Sequence, residues 1–177
     1  MSFINVEIKA RCSNPDIIRD FLKEQHASFK GTDHQIDTYF NVPKGRLKLR
    51  EGKIENNLIY YQREDKQGPK KCEYHLYPTT MNSPIKALLT DALGIRIVVD
   101  KQREIYFIEN VKFHIDNVDG LGSFVEIEAI DQWGTIGEGR LEQQCQDYLA
   151  QLQISSDDLL TVSYADLMEA RENTTAG

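Results

Sequence analysis

Four short stretches of this sequence carry charge in a pattern that could do chemistry. In Asn5-Val6-Glu7-Ile8-Lys9, Arg46-Leu47-Lys48-Leu49-Arg50, Val111-Lys112-Phe113-His114-Ile115-Asp116 and Val125-Glu126-Ile127-Glu128-Ala129, polar or charged residues alternate with apolar ones. A β-strand sends successive side chains to opposite faces, so each stretch reads as a strand with one charged and one apolar face. The signs are segregated. Arg46, Lys48 and Arg50 stand about 7 Å apart on one face, and Arg63, Lys101, Arg103 and Lys112 add cations from other segments. Cations crowded in this way call for a polyanion, such as a chain of phosphates. Glu7, Asp116, Glu126 and Glu128 offer hard carboxylate oxygens of the kind that hold Mg²⁺ or Mn²⁺. If about eight strands close into a barrel, the charged faces become its lumen, where a metal-bound polyphosphate would neutralise both groups.

The plainer alternative is an antiparallel sheet with its charged face in water. Glu7 and Lys9 would then form a surface ion pair worth little, Glu126 and Glu128 would be solubilising charges, and His114 would be structural. Against this, a solvated face normally interleaves both signs. Lys53, Glu55, Lys66, Lys70 and Lys71 fall in apparent turns and receive no site role, although residues 64–71 read as a flap over a tunnel mouth. Tyr39, Phe40, Tyr60 and Tyr61 read as core or wall. The sequence has no Gly-rich phosphate loop ending in Gly-Lys-Ser or Gly-Lys-Thr, no dinucleotide fingerprint, no zinc-spaced histidine pair and no nucleophile-elbow serine. Phosphate would therefore have to be held by side chains.

These residues need elements to position them. Period-two alternation predicts strands over 4–11, 46–50, 58–65, 71–77, 96–107, 111–116 and 125–129, with a turn at Gly120-Leu121-Gly122. Asn14-Pro15-Asp16 reads as an N-cap followed by Pro in the first turn, with Ile17, Ile18, Phe21 and Leu22 as the apolar stripe. Ser83-Pro84 opens a second helix with Leu88, Leu89, Ala92 and Leu93 as its buried stripe and Gly94 as its stop. Leu141, Cys145, Leu149 and Leu152 mark a third helix, and 164–170 a short last one. The fold class is α+β, mostly β: a closed antiparallel barrel with amphipathic helices packed outside.

Composition bounds the rest. At 177 residues and 40% hydrophobic, the chain fits one domain, expected over 1–171, with a small polar, disordered tail over 172–177. A net charge of -7 and a pI near 5.1 argue against nucleic-acid or anionic-membrane binding. Cys12, Cys72 and Cys145 are an odd, scattered set, read as reduced thiols. With no leader pattern and no apolar run of about 20 residues, a cytoplasmic protein is expected.

Asn5-Val6-Glu7-Ile8-Lys9, Asp37-Thr38-Tyr39-Phe40 leading to Gly45-Arg46-Leu47-Lys48-Leu49-Arg50, Lys101-Gln102-Arg103, and the run from Asp116 to Glu128 together resemble the CYTH family of triphosphate tunnel metalloenzymes. The closing Ser163-Tyr164-Ala165-Asp166-Leu167 resembles the class IV adenylate cyclase branch more than the thiamine triphosphatase branch. The resemblance implies an eight-stranded tunnel binding Mg or Mn. Glu7, Asp116, Glu126 and Glu128 would hold the metal, while Lys9, Arg46, Lys48, Arg50, Arg63, Lys101, Arg103 and Lys112 would hold the phosphates. Lys9 is the candidate catalytic base, and Asn5, Glu73, His75 and His114 stand as secondary candidates. Asn5 departs from the family's Glu-x-Glu-x-Lys opening: its amide oxygen can coordinate a metal but brings no charge. Three outcomes follow: conversion of ATP to cyclic AMP and pyrophosphate, hydrolysis of ATP, thiamine triphosphate or tripolyphosphate, or binding without turnover. The resemblance leaves a homodimer open.

Overall fold

The alternating segments form a closed wall. In the computed structural model, which describes residues 2–63 and 67–175, the order along the chain is β1 (Ser2–Arg11), α1 (Pro15–Glu24), β2 (Ser28–Phe40), β3 (Arg46–Glu51), β4 (Asn57–Arg63), β5 (Lys70–Pro78), α2 (Ile85–Leu93), β6 (Ile95–Ile108), β7 (Val111–Val118), β8 (Gly122–Asp131), α3 (Glu138–Gln151), a 3₁₀ turn at Ser156–Asp158, and α4 (Tyr164–Thr175). The strands join antiparallel as β1-β5-β4-β3-β2-β6-β7-β8 and close through β1 against β8. Closure satisfies every edge, which an open sheet of this width would leave unpaired.

The main core lies outside this wall. Val6, Ile8 and Ala10 of β1, Phe113 and Ile115 of β7, and Val125 and Ile127 of β8 pack against Ile18 and Leu22 of α1 and Leu141 and Cys145 of α3. Each such side chain taken from water contributes about 1.5–3 kcal/mol. That burial fixes the register, because a slip of one residue would send Glu7, Glu126 and Glu128 under the helices. α1 starts as its sequence directs: the Asn14 side chain accepts the Asp16 N–H at 3.2 Å, with Pro15 in the first turn. Ile17, however, is exposed.

Three elements depart from the sequence expectation. β2 was not placed as a strand, because its apolar positions do not alternate and its pairing with β6 shifts register at Phe29/Gly31 and at Tyr39/Phe40. α2 has no buried residue, and Leu88 of its expected stripe is exposed; its start after Ser83-Pro84 and its stop at Gly94, with φ 76°, follow the prediction. α4 runs through Thr175, into the stretch expected as an unordered tail. Of the expected flap, residues 64–66, including Lys66, lie outside the described residues, while Lys70 is a buried member of β5 rather than a turn charge. Among the described residues no helix is long and apolar enough to cross a membrane.

The β3–β4 connection is pinned from below. The buried Asp33 carboxylate accepts the N–H groups of Lys53, Ile54 and Glu55 at 2.7, 3.0 and 3.1 Å. Gly52 passes so close that a Cβ there would sit 2.4 Å from Asp33 Oδ2. Gly52→Ala should therefore cost about 1–3 kcal/mol of stability, read as a lower urea midpoint; an unchanged midpoint would show that the connection moves aside freely.

Candidate functional site

The polar faces meet in one chamber. Its free space is about 880 Å³, open solvent at the mouth included. Among the described residues, seven cations, Lys9, Lys48, Arg50, Arg63, Lys101, Arg103 and Lys112, line it against five carboxylates, Glu7, Asp37, Glu55, Glu126 and Glu128. All seven were expected from the alternation, and the structure brings them together. It also brings Asn5 and His114 to the bore.

Other expected residues do not reach the bore. Asp116 shares the inward face of Lys112 and His114 but does not line the chamber: both of its oxygens are held by Arg103 at 2.7 and 2.6 Å, and one also accepts the Tyr164 hydroxyl at 2.7 Å. Burial would raise its pKa, but Arg103 holds it down at about 2. Arg46 turns to α4, with Asp166 at 3.0 Å, and does not line the chamber. Glu73 and His75 face outward from β5 and are exposed, because they have the opposite parity to the lining residues Cys72, Tyr74 and Leu76.

Two carboxylates escaped the sequence reading. Asp37 on β2 is buried at the meeting point of three cations, Arg50 at 2.9 Å through two nitrogens, Lys101 at 2.8 Å and Lys48 at 3.1 Å. Burial alone would raise its pKa, yet the three cations hold it well below the usual carboxylate range. Glu55, assigned to a turn from sequence, projects from the pinned connection to Arg50 at 3.0 Å and to Lys112. One signal for Asp37 was present. Asp33, Gln35, Asp37 and Tyr39 alternate as a polar file through β2 even though the apolar file beside them is broken.

The carboxylate side of the bore is built from β1 and β8, whose register sets Glu7 opposite Glu128 and Lys9 opposite Glu126. Glu7 takes the Arg63 Nη1 donor at 2.6 Å, and Glu128 accepts from the Asn5 amide. Burial pushes the Glu128 pKa up, and the charges of Glu126 and Glu7 add to this against Lys112. Glu126 accepts from Arg103 at 2.9 Å and lies 3.3 Å from His114 Nδ1. Among the described residues no three metal-binding groups converge into a ready cage. The fit to a hard divalent cation comes from the donors themselves, oxygen throughout, and from Asn5 Oδ1, which is buried without a partner. Arg63 Nε and Nη2 are likewise buried and unpartnered, a donor pair suited to a phosphate.

Lys9 is buried 3.8 Å from Glu126 and 3.8 Å above the centroid of the Tyr164 ring. Burial lowers its pKa, with Glu126 opposing. The end of the bore near it is closed by the segment before α4: the Leu160 N–H donates to the Lys9 carbonyl at 2.9 Å, and Lys70 Nζ donates to the carbonyls of Leu160 and Thr161 at 2.8 Å. Ser163 caps α4 reciprocally with Asp166, which sets Tyr164 into the chamber.

His114 is the one imidazole lining the bore among the described residues, and burial drives its pKa down to about 3 with Arg103 and Lys112 adding to the effect. It is neutral when folded at pH 7. Its folded pKa lies below the unfolded value near 6.5, so the unfolded chain takes up the proton first. Its contribution is complete above about pH 6.5 and is lost as pH falls towards 3, by roughly 1.4 kcal/mol per pH unit. Urea unfolding at about pH 7 and about pH 5 should show this loss in the parent and a smaller one in His114→Gln; equal losses would contradict it.

The sequence profile described as the CYTH domain matches residues 4–164. An Aeromonas hydrophila protein named adenylate cyclase CyaB is 30% identical over 179 aligned positions, covering 93% of this chain and 88% of that protein. Two solved structures share the fold. One is a Pyrococcus horikoshii protein with TM-score 0.76 and 24% identity, covering 92% of this chain and 98% of that one. The other is a Hippeastrum protein described as having a dominant triphosphatase activity, with TM-score 0.60 and 14% identity, covering 96% of each chain. With the profile spanning nearly the whole sequence, this chain belongs to the CYTH family.

Proposed function

We propose that the bore binds a triphosphate together with a divalent metal ion, and that the chain converts ATP to cyclic AMP and pyrophosphate. The observation that carries this is the chamber itself: among the described residues, cations in excess of carboxylates, with two Arg63 donors and one Asn5 acceptor left open inside it. Glu7, Glu128 and Asn5 Oδ1, with Glu126 beside them, are the residues to hold Mg or Mn, whose charge would neutralise phosphate oxygens during transfer. Arg50, Arg63, Lys101, Arg103, Lys48 and Lys112 bind and align the phosphates, exchanging Asp37 and Glu55 for the ligand's oxygens. Lys9, its pKa lowered by burial, takes the proton from the ribose 3′-hydroxyl as that oxygen attacks the α-phosphorus and pyrophosphate leaves. The cyclase name of the Aeromonas relative supports this reading.

A second reading, hydrolysis of the terminal phosphate by water, draws on the activity described for the Hippeastrum fold relative. One assay separates them. The purified chain is incubated with ATP, thiamine triphosphate and tripolyphosphate, each with Mg²⁺ and Mn²⁺, and products are resolved chromatographically. Cyclic AMP with equimolar pyrophosphate supports the cyclase, and phosphate release supports the hydrolase. Binding with no product would leave a holding module, the outcome to which Asn5 in place of a carboxylate points.

A further inference from the structure

The two ends of the bore differ. The segment before α4 closes the end near Lys9, whereas the alternating strand directions bring the β3–β4 connection, the β6–β7 turn and the start of β1 together at the other. A phosphate chain longer than the chamber holds would run out through this second end. Cations mark that path. From Arg50 the file passes to Lys112, and Lys112 shares the ring of Phe107 with Lys30, the two ammonium groups lying 5.8 and 5.9 Å from its centroid. Lys30 is exposed, so the file leads from the buried bore into solvent.

Glu55 interrupts this file. One carboxylate oxygen accepts from Arg50 at 3.0 Å and from the Gln35 amide at 3.0 Å, while the other takes Lys112. Burial would raise its pKa, yet the two cations hold it well below the usual carboxylate range, so it meets an incoming phosphate as an anion. Its backbone is fixed. The Glu55 N–H donates to Asp33 at 3.1 Å beside those of Lys53 and Ile54, and Gly52 passes too close to Asp33 to leave room for a Cβ. A ligand phosphate can displace the side chain from Arg50, but the pinned connection keeps the carboxylate in the mouth. A chain that ends inside the bore meets it only at its tip. A chain that continues must pass it, and like charges a few ångströms apart repel strongly where water is largely excluded.

Resting on the triphosphate reading above, we propose that Glu55 sets the length of phosphate chain the bore accepts: it admits a triphosphate and turns away longer linear polyphosphates, which the file through Lys112 to Lys30 would otherwise hold. The filter works by repulsion rather than by shape. Removing the charge while keeping the size of the side chain should therefore open the mouth to the longer chain and change tripolyphosphate binding much less.

The test is calorimetric titration of the full chain, with Mg²⁺, by tripolyphosphate and by linear hexapolyphosphate. The parent should bind tripolyphosphate more tightly. Glu55→Gln should raise the affinity for hexapolyphosphate, relative to that for tripolyphosphate, by about ten-fold or more, and adding Lys30→Gln should remove that gain. Unfolding curves show whether Glu55→Gln folds, and Glu55→Ala carries the comparison if it does not. Equal gains for both ligands would make Glu55 an ordinary counter-ion. That result, a parent that favours hexapolyphosphate, or a gain that survives Lys30→Gln would overturn the filter and leave the triphosphate bore standing. If the parent binds neither ligand, both readings fall.

Discussion

Asp37→Asn is expected to melt roughly ten degrees below the parent and to recover much of that difference when tripolyphosphate is added. Asp37 is the shared anion of Arg50, Lys101 and Lys48, and it lies on the strand that the apolar pattern conceals. Removing one member of a buried charge cluster costs about 3–5 kcal/mol, because the partners remain buried and uncompensated. The side chain is nearly isosteric, so the loss reports charge rather than volume. A triphosphate brings negative charge to the same cations, and ligand binding stabilises a fold in proportion to the logarithm of its saturation. The ligand-induced rise in melting temperature should then be larger in the variant than in the parent. The pH dependence has a defined sign. With its pKa held well below that of the unfolded chain, Asp37 contributes fully above about pH 4 and loses that contribution only as pH falls through the depressed value. A variant melting with the parent, or equal ligand shifts, would show that Asp37 is not the internal counter-ion of the phosphate site.

Arg63→Lys should lower triphosphate affinity by about ten-fold or more while leaving the unfolding midpoint close to that of the parent. In the folded chain Arg63 spends one nitrogen on Glu7 at 2.6 Å and keeps Nε and Nη2 buried without partners. Unmet buried donors are costly, and a phosphate is the group that relieves them as a forked pair. Lysine keeps a charge for Glu7 but cannot present the fork. The pairing of preserved stability with lost affinity distinguishes a ligand-facing role from a structural one. Loss of stability with unchanged affinity, in melting and titration of the same samples, would reverse the assignment.

These two residues also show how far the sequence carried. Arg63 was legible as one of the cations gathered from several strands, and the closed barrel followed from clean alternation in β1, β7 and β8, where a helix-covered apolar file makes the pattern strict. Asp37 was not legible as a site residue because β2 bends through two register shifts, which breaks the apolar file used to recognise strands. Glu55 looked like turn charge, and only the Asp33 carboxylate beneath the loop turns it into the bore. Asp116 and Arg46 had the right parity but the wrong depth: near the end of the barrel, long-range partners on α4, Tyr164 and Asp166, take them. Glu73 and His75 failed on parity itself, one residue out of step with Cys72 and Tyr74. The stripe on α2 was read correctly as apolar and wrongly as buried, since periodicity shows that a helix has a face but not what covers it.

A crystal structure of the chain with Mn²⁺ and a non-cleavable triphosphate tests the central claim most directly. The account predicts manganese anomalous density beside Glu7, Asn5 and Glu128, and phosphate density against Arg63, Arg50 and Arg103 within the same chamber. Triphosphate and metal bound on the outer surface, with the chamber holding only water, would contradict it.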